Sequence, residues 1–267
     1  MDLIDIGCNL THDSFNEDRH QVIERARDAG LVQMVVTGAS EKGSKAALEL
    51  ARNYPGELFA TAGVHPHLAS EFTDGTEQTL RELSSHEEVV AVGETGLDYF
   101  RDISPRDVQR KVFQTQLQIG IDTALPLFLH MRDAHEDFHA ILKEHRSHLK
   151  QVVVHCFTGT REQLHEYIEL DCYIGITGWI CDERRGTHMK EFLHDIPIDR
   201  LLVETDAPYL KPRNLRPRVK THRNEPRWLP WIVETLAAAR GEQPDYVAER
   251  TTENARTFFG LPALQPA

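Results

Sequence analysis

The chain has 267 residues, of which 40% are hydrophobic, and its formal net charge at pH 7 is −12. This length and apolar content suit the single core of an α/β barrel. The acidic balance argues against a protein that only coats nucleic acid, and no apolar run reaches the about 20 residues of a membrane span. Four cysteines without a C-x-x-C pair argue against a zinc–thiolate site. The first residues lack the features of a signal peptide, which predicts a cytoplasmic protein.

Eight short runs rich in Val, Ile, Leu and Phe recur along the chain and show little alternation. Such runs are typical of strands that are buried on both faces of a parallel sheet. The predicted strands are Leu3–Leu10, Val32–Thr37, Leu58–Val64, Val89–Gly93, Pro126–His130, Val152–Cys156, Tyr173–Gly178 and Leu201–Glu204.

Amphipathic stretches with helical spacing separate these runs, and two further helices are predicted over about 226–240 and 245–259. Eight strand–helix repeats favour a (β/α)8 TIM barrel, as one domain over residues 1–267. A doubly wound open sheet is the alternative. The sequence contains neither G-x-G-x-x-G nor G-x-x-x-x-G-K-[ST], which argues against a nucleotide cofactor.

Four polar residues stand at the ends of four of these runs: Glu94, His130, His155 and Asp206. The chemistry of such barrels gathers at the C-terminal ends of the strands, so we expect these side chains to meet at one metal site. Imidazoles and carboxylates without thiolates suit Mg²⁺, Mn²⁺ or Zn²⁺ in a site partly open to water. The metal would lower the pKa of a bound water and neutralise charge on the substrate. Glu94 is expected to serve both ligation and catalysis.

The remaining site residues are predicted from their places next to these ligands. Asp206 is the expected general base for the attacking water. Arg132 lies two residues beyond His130 and is placed to meet a phosphate oxygen, and His65 is placed to donate to the substrate or the leaving group. Trp179, after the seventh run, either stacks on a base or packs over the barrel mouth.

Several polar residues near these strand ends have structural explanations. Glu204 shares a strand face with Asp206, so it can ligate, orient a ligand or pair with a buried cation. Asp133 is predicted to be the N-cap of the helix after the fifth strand. Three other histidines are predicted to be surface groups: His67, His135 and His139.

A basic segment follows the last predicted strand. Seven basic residues lie between 211 and 227, opposed within the segment only by Glu225. The segment is either a solvated loop or a surface for a nucleic-acid backbone.

Six ordered motifs resemble those of the TatD-related deoxyribonucleases along nearly the whole chain. They occupy residues 5–10, 62–67, 92–98, 130–135, 155–159 and 204–209. The resemblance implies a TIM barrel of the metal-dependent hydrolase superfamily, and a magnesium-dependent exonuclease that acts from the 3′ end of single-stranded DNA or RNA. It also implies metal ligation by Glu94, His130, His155 and Asp206, with His65 near the scissile phosphate.

One departure from the family pattern affects the number of metal ions. Many relatives open with Asp-x-His-x-His, whereas this chain has Gly7 and Asn9 at the histidine positions. A second ion would therefore rest on Glu94, Asp206, water and the Asn9 amide. We expect one firmly held ion and a weaker second one, and Mg²⁺ tolerates a water-rich shell better than Zn²⁺ does.

Three functions remain open at this point. The leading interpretation is a monomeric enzyme that hydrolyses phosphodiester bonds in DNA repair or RNA turnover, and Arg132 with the basic segment favours it. The same superfamily architecture also supports ester or amide hydrolysis, such as an aminoacyl-tRNA deacylase. The third interpretation is a non-catalytic barrel that binds nucleic acid or a partner protein.

Overall fold

The computed structural model of the chain describes residues 1–263. Eight parallel strands form one sheet, and their order in the sheet follows the chain. The strands are β1 (Leu3–Cys8), β2 (Leu31–Val36), β3 (Leu58–Ala62), β4 (Val89–Asp98), β5 (Leu127–Arg132), β6 (Val152–Val154), β7 (Tyr173–Ile176) and β8 (Leu201–Val203). Helices alternate with the strands, so the predicted (β/α)8 TIM barrel is confirmed.

Eight α-helices occupy the described residues: α1 (Arg19–Asp28), α2 (Glu41–Arg52), α3 (Asp74–Leu83), α4 (Arg106–Thr123), α5 (His135–His145), α6 (Arg161–Glu169), α7 (Leu229–Arg240) and α8 (Pro244–Phe259). Four short 3-10 turns connect β7 with β8 in place of a long helix. The predicted helix from residue 226 begins later, because Pro226–Trp228 forms a 3-10 turn before α7. Within residues 1–263 the structure contains no helix with the length and apolarity of a membrane span.

The described residues separate into two compact units that interleave along the chain. The first unit holds residues 1–36, 156–164 and those from 174 onward, and the second holds residues 37–155 and 165–173. The single domain over residues 1–267 stays a prediction.

In the first unit, backbone hydrogen bonds join the C-terminal ends of β1 and β8. The amide of Asp206 donates to the carbonyl of Gly7 at 2.9 Å, and the amide of Asn9 donates to the carbonyl of Ala207 at 2.7 Å. The first and last strands are therefore neighbours. The polar residues that follow the two strands are held side by side.

In the second unit, β4 runs between β3 and β5 and is buried along its whole length. Its pairing with β5 shifts register between Gly93 and Thr95 and then continues to Asp98, which lies opposite Arg132. The predicted end of this strand at Gly93 is therefore wrong. The apolar pattern stops at Glu94, but the backbone pairing between β4 and β5 continues beyond it.

Most other predicted strands extend too far at their C-terminal ends. β1 ends at Cys8, β6 at Val154 and β8 at Val203, each one or two residues before the predicted end. His155 and Asp206 consequently lie in the turns beyond their strands, where side chains are free to point towards a site.

We expect Gly96→Ala to lower the free energy of unfolding by about 2–4 kcal/mol. Gly96 in β4 has a φ of 146°, and a Cβ there would overlap the carbonyl oxygen of His130 on β5. Gly75→Ala is the matched control, because its Cβ would lie 3.5 Å from the nearest atom, Oγ1 of Thr73. Urea denaturation measures both variants, and equal stabilities would show that β4 and β5 do not require glycine at this contact.

Candidate metal centre

Three imidazole rings converge on one oxygen of the Glu94 carboxylate. Nε2 of His155 lies 2.8 Å from Oε1 of Glu94. Nδ1 of His130 lies 3.1 Å from the same oxygen, and Nε2 of His65 lies 3.4 Å from it. The histidines come from the ends of β3, β5 and β6, so the fold of the second unit brings these four predicted site residues together.

Asp98, at the end of β4, joins the cluster through His130. Oδ2 of Asp98 lies 3.2 Å from Nε2 of His130 and 2.8 Å from Nε2 of His67. His130 therefore directs Nδ1 towards Glu94 and Nε2 towards Asp98, and the second carboxylate fixes the ring. The sequence does not single out Asp98, and His67, which is predicted to be a surface group, contacts this buried carboxylate. The available signal was the four-residue spacing from Glu94 to Asp98, which puts both on one face of a strand.

The charges of the cluster follow from competition between burial and ion pairing. Burial alone would raise the pKa of Glu94, but the surrounding imidazoles hold that pKa well below its usual range. Burial lowers the pKa of His65 to about 3, so this ring is neutral. At His130, hydrogen bonds with Asp98 and Glu94 outweigh burial and raise the pKa. Glu94 is therefore ionised, and the raised pKa of His130 favours the protonated form of this ring.

The cluster is suited to a divalent cation. Three ring nitrogens surround one carboxylate oxygen at 2.8–3.4 Å, so nitrogen and oxygen donors converge on one point. Nitrogen and oxygen donors without thiolates suit Zn²⁺, Mn²⁺ or Mg²⁺. Within residues 1–263, the groups that can offer three ligand atoms to one ion are His65 with Glu94 and His130, and His65 with His67 and Asp98.

Asp206, the other predicted ligand, lies in the first unit, where its side chain is held by Asn9. Nδ2 of Asn9 donates to Oδ1 of Asp206 at 3.0 Å. Asn9 thus contacts the predicted ligand directly, although it replaces a histidine of the family pattern. The neighbouring Glu204 accepts a hydrogen bond from the amide of Cys156 at 2.5 Å, so it orients the turn that follows β6.

The other two predicted substrate contacts, Arg132 and Trp179, each stack with another side chain. The guanidinium carbon of Arg132 lies 3.9 Å from the ring centre of Phe100 in the second unit. In the first unit, the guanidinium carbon of Arg185 lies 4.1 Å from the ring centre of Trp179. The indole N–H of Trp179 is buried without a hydrogen-bond partner in the described part of the chain.

Acidic groups from elsewhere in the chain neutralise much of the basic segment. Arg223 pairs with Asp18 at 2.7 Å, and Arg213 pairs with Glu183 at 3.2 Å. The sequence counted only Glu225 as an opposing charge, because the other partners are distant along the chain. Three cations of the segment stay exposed and form no ion pair within residues 1–263: Arg216, Arg218 and Lys220.

Two local predictions next to α5 are wrong. The N-cap of α5 is Ala134, without a side-chain hydrogen bond, whereas Asp133 lies one residue too early and has a φ of 53°. His135 is mostly buried rather than on the surface. Its ring shares hydrogen bonds with the hydroxyl of Tyr167 and the carboxylate of Glu166, each at 2.8 Å, because α6 packs against its face.

The sequence matches the TatD related DNase family over residues 4–260. The chain belongs to this family. A relative from Erwinia billingiae, named 3′-5′ ssDNA/RNA exonuclease TatD, is 49% identical over 98% of this chain and 100% of its own length. Among solved structures, the TatD homologue YJJV from Escherichia coli has a TM-score of 0.89 and 29% identity over 97% of this chain and 98% of that chain. A TatD family hydrolase from Entamoeba histolytica has a TM-score of 0.85 and 26% identity over the same shares.

We expect Asp98→Asn to weaken the binding of a divalent cation about 10–100-fold, because a neutral amide orients His130 less firmly and makes its ring less basic. Titration calorimetry with Mn²⁺ measures the change. Asp102→Asn is the control, since within residues 1–263 this exposed carboxylate pairs only with a solvent-facing partner, Arg106, at 3.0 Å. Equal Mn²⁺ affinity in Asp98→Asn and the wild type would remove Asp98 from the centre.

The raised pKa of Asp5 makes the stability of the fold depend on pH. This carboxyl is fully buried in β1 and accepts hydrogen bonds from the amides of Thr205 at 2.9 Å and Gly7 at 3.2 Å, yet burial raises its pKa from 3.8 to about 7. The folded state holds this proton more tightly, so the stabilisation is complete below about pH 4 and is lost as the pH rises to about 7.

We therefore expect the wild type to lose on the order of 3–4 kcal/mol of unfolding free energy relative to Asp5→Asn between pH 4 and pH 8. Denaturation of chelator-treated protein at a series of pH values measures the difference. A stability difference that is constant with pH would show that Asp5 does not titrate in this range.

Proposed function

We propose that this protein is a metal-dependent exonuclease that removes nucleotides from the 3′ end of single-stranded DNA and RNA. The convergence of His65, His130 and His155 on Glu94 carries the proposal, because such a cluster is suited to a cation and the chain belongs to the TatD related DNase family. The Erwinia billingiae relative bears this activity in its name. A monomer in the cytoplasm, with a part in DNA repair or RNA turnover, belongs to the same proposal; the four free cysteines are typical of a reducing compartment.

The proposed ligands of the firmly held ion are Glu94, His130 and His155, with Asp206 added from its match to the family motif. When bound, Mg²⁺, or Mn²⁺ or Zn²⁺ in its place, neutralises phosphate charge and polarises the P–O bond. A second, weaker ion is proposed to arrive with the substrate, near Glu94, Asp206 and the Asn9 amide.

The Nε2 atom of His65 is placed to donate a hydrogen bond to the substrate. Its Nδ1 accepts a hydrogen bond from the amide of His67 at 3.1 Å, so the proton of the neutral ring lies on Nε2. Nε2 faces Glu94 at 3.4 Å and is therefore directed into the site. We assign to this N–H the contact with a phosphate oxygen or with the leaving oxygen.

The remaining roles complete a hydrolysis in which water adds to phosphorus and the bond to the leaving oxygen breaks. Asp206 is proposed to take the proton of the attacking water. The planar guanidinium of Arg132 is proposed to bind a non-bridging phosphate oxygen and steady the charge that develops there. Trp179 is proposed to stack on a base elsewhere along the strand.

Labelled single-stranded DNA and RNA should lose mononucleotides stepwise from the 3′ end in the presence of Mg²⁺. EDTA should stop the reaction, and added Mg²⁺ or Mn²⁺ should restore it. We expect Glu94→Gln to lower kcat by more than about 100-fold, because the amide removes the charge that gathers the three imidazoles. Glu88→Gln is the control, since this carboxylate just before β4 pairs with Arg52 at the surface.

Other products would assign other functions. Release of an amino acid from aminoacyl-tRNA with intact polynucleotide would establish ester hydrolysis instead. Binding of oligonucleotide without any product would establish a non-catalytic role. Full activity of Glu94→Gln would exclude the proposed centre.

A further inference from the structure

The loop that follows β4 exposes apolar and cationic side chains close to the metal cluster. Phe100 is 56% exposed and Ile103 is 62% exposed, and Arg101 between them is exposed as well. Phe100 is the most exposed of the Phe, Tyr and Trp side chains in residues 1–263. Because large apolar side chains are usually buried, an open ring beside a functional cluster indicates a contact surface.

Backbone contacts tie this loop to the residues of the cluster. The amide of Tyr99 donates to the carbonyl of Arg132 at 2.9 Å, and the amide of Arg101 donates to Oδ1 of Asp98 at 2.8 Å. Further along, the hydroxyl of Ser104 donates to the carbonyl of His67 at 2.9 Å. Phe100 is therefore held at a fixed position relative to Asp98, the carboxylate that orients His130.

One face of the Phe100 ring is already occupied by a cation. The guanidinium carbon of Arg132 lies 3.9 Å from the ring centre, which is a stacked cation–π contact. Such a contact fixes the ring and leaves the N–H edge of the guanidinium available for a phosphate. Phe100 is still 56% exposed, so its exposed part lies away from Arg132.

Arg101 adds an exposed cation to the same loop. Its side chain is exposed and has no ion-pair partner in the described residues. The neighbouring cations Arg106 and Arg110, in contrast, pair with Asp102 and Asp137. An open aromatic ring next to a free cation is the combination that binds single-stranded nucleic acid, where bases stack and phosphates are neutralised.

We propose that the open face of Phe100, backed by Arg132, stacks on one nucleobase of the single-stranded substrate, and that Arg101 binds a backbone phosphate next to it. This subsite rests on the proposed exonuclease function and specifies how the strand is held. Stacking on one aromatic ring tolerates every base, so the subsite fits an enzyme that degrades a strand without regard to sequence.

The test removes the two stacking partners one at a time. Short oligonucleotides carry a tetrahydrofuran residue, which lacks a base, at one position counted from the 3′ end, and each is hydrolysed by the wild type and by Phe100→Ala. At one position, loss of the base should raise the KM of the wild type about 10-fold and leave that of Phe100→Ala nearly unchanged. At other positions both proteins should respond alike, and kcat should change less than about 2-fold.

Matched variants separate stacking from a general effect on folding or on apolar contact. Phe100→Tyr should keep the KM of the wild type, whereas Phe100→Leu should resemble Phe100→Ala, because only an aromatic ring stacks. Tyr246→Ala removes an exposed aromatic ring of α8 and should leave KM unchanged. Thermal unfolding of each variant reports on folding.

Three results would overturn the subsite. The first is an unchanged KM in Phe100→Ala, and the second is a KM increase that does not depend on the position of the missing base. The third is a concentration-dependent dimer of the wild type that Phe100→Ala abolishes without a change in KM, which would assign the loop to contact between two copies.

Binding measurements distinguish failure of the exonuclease proposal from failure of the subsite. If the wild type hydrolyses no oligonucleotide, fluorescence anisotropy of a labelled oligonucleotide still tests the subsite. Binding that is about 10-fold weaker in Phe100→Ala supports it, and equal binding overturns it.

Discussion

The site depends on one buried carboxylate. Taking an ionised carboxylate out of water costs several kcal/mol unless charged or hydrogen-bonding partners compensate. Three imidazoles compensate the cost of burying the Glu94 charge. Asp98 in turn contacts Nε2 of His130, the ring nitrogen that does not face Glu94. Removal of the carboxylate would leave the imidazoles without a common partner. Glu94 therefore stabilises the arrangement on which the proposed metal centre depends.

The geometry of β4 makes this arrangement possible. The strand continues past its apolar run, so Glu94 and Asp98 lie in a buried, hydrogen-bonded strand and not in a loop. Glycine at position 96 lets the backbone of β4 approach the carbonyl of His130 closely. Groups on strands are held more precisely than groups on loops, and precision is what a cation site requires.

The cations of this acidic chain differ in whether the protein itself neutralises them. Three of the seven cations of the basic segment are paired with Asp18, Glu183 or Glu225, so the segment is less cationic than its composition indicates. Arg132 instead stacks on Phe100, and the backbone of Arg101 contacts Asp98, the carboxylate that orients His130. In the proposed function, a chain of net charge −12 binds a polyanion through a few local contacts and a bound cation, which outweigh the average charge.

The sequence by itself determined the fold class and most of the cluster. Eight unalternating apolar runs require strands buried on both faces, and parallel strands place their C-terminal residues together. The tertiary structure alone decided the roles of Asp98 and His67, the length of β4 and the pairing of the basic segment. These features depend on contacts between residues far apart in the chain, or on a ladder that continues through polar residues. Periodicity and local composition carry no information about either, because they report on burial near a residue and not on its distant partners.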